Sequence, residues 1–170
     1  MRIGVLGGSF NPPHNGHIYL GERATSGLAL DIIYIIPAFI PPHKDADGLA
    51  PAADRLNMCR LAFPAGKYTV SDMEIARKGK SFTIDTVKTI KNEYPGAEIF
   101  LIIGSDMMSS FDTWYKYKEI LGLCTVFDVS RDNMPVSSTM IREKIKGGGD
   151  ISSLVPKKVE AYIEERRLYV

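Results

Sequence analysis

The sequence predicts an α/β fold in which an open parallel sheet carries helices on both faces, folded as a single domain over 1–170. Two observations predict it. Short apolar strand-like runs alternate with helix-like runs along almost the whole chain. Glycine- and proline-rich stretches also fall just after several strand-like runs, where open parallel sheets bind their ligands.

The elements follow in order. "RIGVLG" (2–7) reads as a short buried strand ending in glycine. "NGHIYLGERATSGL" (15–28) places Ile18, Leu20, Ala24 and Leu28 at helical spacing. "DIIYIIPA" (31–38) is a β-rich run closed by Pro37, and "FIPPHKDADGLAP" after it is a polar loop. "AADRLNMCRLAF" (52–63) reads as a helix and "KYTVSDME" (67–74) as a strand. "SFTIDTVKTIKNEYP" (81–95) is helical, with Ser81 or Thr83 as its cap and Pro95-Gly96 as its stop. "EIFLIIG" (98–104) is the strongest strand. A short helical piece follows, with its main turn in "WYKYKEILGL" (114–123), and then the strand "CTVFDV" (124–129). "SSTMIREKIKGGG" (137–149) and the terminal "PKKVEAYIEERRLY", with Pro156 in its first turn, are the last helices. The loops after the first, second, fourth and fifth strands are the candidate site.

Composition narrows the function. Twenty-one basic residues against twenty acidic ones leave a net charge of +1, which argues against a nucleic-acid partner. Small anionic ligands need only a few local cations. Cys59 and Cys124 lie far apart and near no other ligand-type cluster, so they read as buried thiols rather than a metal site or a disulfide. No apolar run approaches the roughly 18 residues of a membrane span, and the first residues do not read as a signal peptide. The expectation is a cytoplasmic protein without a membrane partner. Self-association is left open.

"GGSFNPPHNGH" (7–17) carries the most chemistry. Gly7-Gly8 after a strand lets a ligand come close to the backbone. Neither dinucleotide nor P-loop glycine spacing is present. His14 and His17 are one helical turn apart, so both can face one side of a helix start. Such a start presents backbone N–H groups and partial positive charge, and two imidazoles beside it suit clustered phosphate oxygens.

This strand-loop-helix resembles that of the HxGH nucleotidyltransferases, Rossmann-like enzymes whose two histidines bind nucleotide triphosphate. Further along stand "PPHK" with His43-Lys44, "SFTIDT" (81–86), "IIGSDMMSSFDTW" (102–114) and "SSTMIR" (137–142). In this order over nearly the whole chain, they resemble the bacterial nicotinate-mononucleotide adenylyltransferases.

The resemblance implies roles residue by residue. His14, His17, Lys44 and Arg142 would be the catalytic donors around the phosphates. ATP would lie against Gly7, Gly8, Ser9, Phe10 and the two histidines on one side. On the other it would meet Gly104, Asp106, Arg131, Ser138, Thr139 and Arg142. Nicotinate mononucleotide would meet Ser9 and Lys44, stack on Trp114, and place its carboxylate on backbone N–H groups near Thr83 and Tyr115. Read alone, Trp114 is a core residue, Asp106 a helix cap and Arg142 a solvated cation.

The implied reaction is in-line attack of the mononucleotide phosphate on the α-phosphorus of ATP, without a covalent intermediate. Mg²⁺ would be held mainly by substrate phosphates, with no protein metal site. One departure stands out. Only "DNMP" separates "CTVFDVSR" from "VSSTMIR", where the resembled enzymes have a longer segment, which puts the role of Arg131 in doubt. Two other readings remain: a related enzyme such as a phosphopantetheine adenylyltransferase, or a nucleotide-binding module without catalysis.

Overall fold

The computed structural model describes residues 1–42, 48–130 and 134–170. Its sheet has five parallel strands in the order β3-β2-β1-β4-β5. These are β1 (Arg2–Gly8), β2 (Ile32–Pro37), β3 (Tyr68–Val70), β4 (Glu98–Gly104) and β5 (Thr125–Val129). β1 is central and pairs with β2 on one side and β4 on the other.

Strand alternation sorts the apolar residues into two cores. Leu6, Ile33, Ile35 and Ile102 point to one face. There they meet α1 (Asn15–Leu28), α2 (Ala52–Ala62), α7 (Ser138–Lys146) and α8 (Lys157–Arg166) through Leu20 and Ala24, Met58 and Cys59, Ile141, and Val159 and Ile163. Ile3, Val5, Tyr34, Ile36, Ile99, Leu101 and Ile103 point to the other face. They meet α4 (Thr83–Glu93) and α6 (Tyr117–Leu123) through Ile84, Val87, Ile90 and Ile120. The expected sheet with helices on both faces is what forms. The central strands are covered on both sides, which is why they read as unbroken apolar runs rather than alternating ones.

Two local expectations need correction. The strand expected over 67–74 stops at Val70, and Met73–Arg77 forms a short helix, α3. Ser71 ends the pairing: its N–H donates to the Ile35 carbonyl and its Oγ accepts from the Met73 N–H. Ala76 N–H then bonds the Asp72 carbonyl, which closes the first helical turn. The helix expected from residue 114 begins only at Tyr117, because Lys116 sits in the left-handed region at φ 56°. Trp114 instead follows a 3₁₀ turn, Phe111–Thr113, in extended conformation. Directly after β4, Ser105–Met108 coils into α5.

Asp54 of α2 fastens the last helix to this frame. Its Oδ1 accepts from Tyr162 Oη at 2.8 Å and from Arg166 Nε at 3.2 Å. Asn57 Nδ2 donates to the same tyrosine oxygen.

Both cysteines are buried and free, as their isolation in sequence suggests. Burial pushes both thiols up, Cys124 to about 11 and Cys59 further. Reactivity requires the thiolate. Neither thiol is therefore expected to react with a thiol-exchange reagent at pH 8 in the folded protein, and both should react in urea. Rapid native labelling of either one would contradict the packing around it.

Candidate functional site

A cleft of about 270 Å³ opens at the carboxyl ends of β1 and β4. This is where the connections from the two central strands diverge, one leading to the β2 side and the other to the β5 side. Its wall includes Gly7, Gly8, Ser9, His14 and His17 from the first loop. It also includes Thr83 at the head of α4, Gly104 and Asp106 after β4, and Trp114 and Tyr115. Ser138 and Thr139 come from the head of α7. Most of the sequence-derived site residues thus line one cavity.

The histidine pair sits at the start of α1, His14 as its N-cap and His17 one turn in. The ring centroids are 3.8 Å apart, and His14 is only 2% exposed. His14 N–H donates to His17 Nδ1 at 3.2 Å. With Nδ1 accepting, the proton of a neutral His17 ring belongs on Nε2. That makes Nε2 a donor, the polarity a phosphate oxygen needs.

Phe10 fixes His17 from behind. It adopts φ 46°, rare for a bulky residue, and its ring is wholly buried. The ring packs on His17 at 4.7 Å and meets Phe63 edge-on at 6.1 Å. Apolar packing therefore holds a left-handed backbone turn that would cost about 1–2 kcal/mol in isolation. Phe10 accordingly supports the cleft from below and is absent from its wall.

Arg142 also stands off the wall. Its Nη1 donates to the Asn11 carbonyl at 2.9 Å and its Nη2 to Thr139 Oγ1 at 3.3 Å. Ser138 Oγ donates to the Pro12 carbonyl at 2.8 Å, so α7 is tied to the first loop twice. Ser137 caps α7 by accepting from the Met140 N–H. His43, Lys44 and Arg131 lie outside the described residues.

The far end of the cleft is aromatic. Trp114 packs on Phe111 at 5.1 Å between centroids, and Tyr115 packs on Phe82 at 4.7 Å. The start of α4 differs from expectation. Neither Ser81 nor Thr83 caps it; Phe82 holds that position without a side-chain bond. Ser81 Oγ instead accepts from the Phe39 N–H at 2.9 Å, and Ser81 N–H donates to the Ile40 carbonyl. The loop after β2 is thereby laced to the head of α4. Asp106 is not a cap either: Gly104 holds that place, and Asp106 lies in the first turn of α5.

Glu74, Asn11 and Arg55 are structural participants that sequence reasoning passed over. Glu74 lines the cleft at 6% exposure. Thr86 Oγ1 donates to its carboxylate, and Arg77 donates to the same threonine oxygen. Burial pushes the Glu74 carboxyl above its usual range, with the Thr86 hydrogen bond and Arg77 opposing. Asn11 Nδ2 donates to the Gly48 carbonyl at 2.8 Å. Its Oδ1 accepts from Ala50 N–H and from Tyr169 Oη. The proline-rich neighbours of Asn11 were a signal; Glu74 gave none once it was placed in a strand.

The cytidylyltransferase-like family model matches residues 5–144. Nicotinate-nucleotide adenylyltransferase of Bacillus subtilis (strain 168) is 36% identical, over 99% of this chain and 98% of that protein. A Geobacter sp. (strain M21) protein named "Probable nicotinate-nucleotide adenylyltransferase" is 37% identical, over 100% of this chain and 99% of its own. A crystal structure from Vibrio parahaemolyticus is similar at TM-score 0.83 and 26% identity, covering 99% of this chain and 96% of that one.

Two glycines test the site's packing. A Cβ on Gly16 would stand 2.9 Å from Val136 and 3.0 Å from the His14 ring, whereas one on Gly7 would meet nothing within 4 Å. Gly16→Ala is expected to cost about 1–3 kcal/mol of stability as an overpacked site. Gly7→Ala should cost less than half as much. Urea unfolding of both variants checks this, and the reverse order would refute the packing described.

Proposed function

We propose an adenylyl-transfer reaction for this chain, which belongs to the cytidylyltransferase-like family and, within it, to the nicotinate-nucleotide adenylyltransferases. It transfers the adenylyl group of ATP to nicotinate mononucleotide, giving nicotinic acid adenine dinucleotide and pyrophosphate, a step of NAD biosynthesis. The observation that carries the site assignment is a single cleft with a histidine pair at one helix start and a tryptophan beside another. One end suits phosphates and the other a flat anionic ring.

In this reading the mononucleotide phosphate attacks the α-phosphorus in line. That oxygen is already anionic near neutral pH, so the step needs no general base. Catalysis then rests on alignment and on donors placed where charge builds up. His14 and His17 would donate to the triphosphate, with backbone N–H groups at the head of α1 adding partial positive charge. Gly7, Gly8 and Ser9 would lie against the nucleotide, with Ser9 shared by both substrates. Gly104 and Asp106 would meet ribose or base, and Ser138 and Thr139 the phosphates at the head of α7.

Arg142 would turn to the phosphates the N–H donors left over from its bonds to the Asn11 carbonyl and Thr139 Oγ1. Lys44 and Arg131 keep the roles implied by resemblance, as catalytic cation and adenine neighbour. The nicotinate ring would stack on Trp114, with its carboxylate toward Thr83 and Tyr115. The start of α4 supports this, since no side chain caps it.

A divalent cation, Mg²⁺, completes the reading. Among the described residues no three His, Cys, Asp or Glu side chains cluster to hold a metal. In this reading the cation would be carried by substrate phosphates and water. Such a cation supplies charge neutralisation on the phosphates. The family match and relatives matched over nearly their whole length support reading 1–170 as one working domain; a cytoplasmic location is part of the same proposal. Among the described residues no helix is long and apolar enough to cross a membrane.

Pyrophosphate release measured in parallel with nicotinate mononucleotide, its amide counterpart and phosphopantetheine tests the assignment. Fastest turnover with the nicotinate compound is expected, and no turnover with any would favour a binding module. His17→Ala is expected to lower kcat by about 100-fold, the scale of a lost oxyanion donor. Unchanged turnover would remove His17 from the mechanism. Trp114→Ala should raise KM for nicotinate mononucleotide while KM for ATP changes little; the opposite split would misplace the ring.

A further inference from the structure

Among the described residues Arg55 is the largest fully buried side chain, at 1% exposure. A buried guanidinium ordinarily stands against a carboxylate. Here every acceptor is a backbone carbonyl. Nε donates to Ala50 at 3.0 Å, Nη2 to Phe39 at 3.0 Å, and Nη1 to Ser9 at 2.9 Å and to Ala38. Among the described residues no carboxylate lies within 4 Å of it. The adjacent Asp54 is taken by Tyr162 and Arg166 instead. Burial lowers the pKa of Arg55, yet a guanidinium stays protonated at physiological pH.

The four carbonyls come from the two loops that border the cleft. Ser9 follows β1; Ala38 and Phe39 follow β2; Ala50 closes the β2 loop just before α2. Ser9 and Ala38 themselves line the cleft. The cation therefore stands directly behind the wall, and the described protein offers it dipoles but no anion. The adenylyl-transfer reading, on which this inference rests, brings phosphate anions to the other side of that wall.

We propose that Arg55 is a positioning residue for the phosphate site, clamping the loops after β1 and β2 and supplying a buried charge that bound phosphate offsets. Two properties follow. Lysine keeps the charge but loses the planar fork that reaches four carbonyls. Methionine fills much of the space and loses the charge.

The test is calorimetric titration of wild type, Arg55→Lys and Arg55→Met with inorganic pyrophosphate, and separately with nicotinate riboside, which lacks a phosphate. Thermal unfolding of each variant accompanies it. Arg55→Met should bind pyrophosphate about tenfold more weakly, as expected for one charge acting across a protein wall. Arg55→Lys should stay within about threefold of wild type for pyrophosphate, yet lose about tenfold in kcat through misplaced loops. Riboside affinity should move less than about threefold in either.

A folded Arg55→Met with wild-type pyrophosphate affinity overturns the proposal. So does an equal loss for both ligands in both variants, since that is a merely structural role. Should Arg55→Met fail to fold, Arg55→Lys decides: retained pyrophosphate affinity with lowered kcat supports the proposal, and lost affinity overturns it. A wild type that binds pyrophosphate but forms no dinucleotide would sink adenylyl transfer, while the titrations still decide the role of Arg55. A wild type that does not bind pyrophosphate counts against both.

Discussion

The position of β1 between β2 and β4 is the constraint on which the rest depends. Two parallel neighbours force the chain to leave β1 toward one edge of the sheet and later to start again from β4 toward the other. The backbone must therefore part above β1, and the cleft is that parting. Ala38 N–H donates to the Gly8 carbonyl at 2.9 Å, the last link between β1 and the β2 side before the loops separate. Beyond it, the connections depend on side chains such as Arg55, Asn11 and Ser81 to hold their spacing.

A chain with a net charge of +1 handles anionic substrates through geometry rather than composition. The heads of α1, α4 and α7 all reach the same cleft wall, at His14, Thr83 and Ser137 to Thr139. Each helix start contributes partial positive charge from its aligned peptides. These contributions add locally and leave no mark in a count of lysines and arginines. They also act at fixed positions, which in the proposed reaction would separate a phosphate end from a carboxylate end without long flexible side chains.

Much of this was legible in the sequence, and the failures share a cause. The strands of the sheet and the helices that bury Leu20, Met58, Val87 and Ile141 follow from apolar periodicity, which burial enforces. The histidine pair was legible because a helix start ties its spacing to one face. What escaped were residues whose roles depend on partners distant in the chain. Arg55 reads as one polar position on a helix, and only the arrival of Ser9 and Ala38 makes it a clamp. Ser81 reads as a cap, but a tertiary partner, Phe39, claims its hydroxyl. β3 ended early because Ser71 satisfied both the ladder and the next turn, a competition that local propensity does not weigh.

The Asn11 contact with Tyr169 has a consequence for how the molecule assembles. It joins residues 158 apart in sequence, with β2 to β5 between them along the chain. Closing so long a segment carries more chain entropy than any neighbouring strand pairing. The sheet can gather from its shorter connections first, whereas the turn holding Asn11 acquires its tyrosine partner only when the terminal helix has docked on Asp54. The turn that carries Asn11 beside the binding surface therefore has its full set of partners only when the end of the chain is in place.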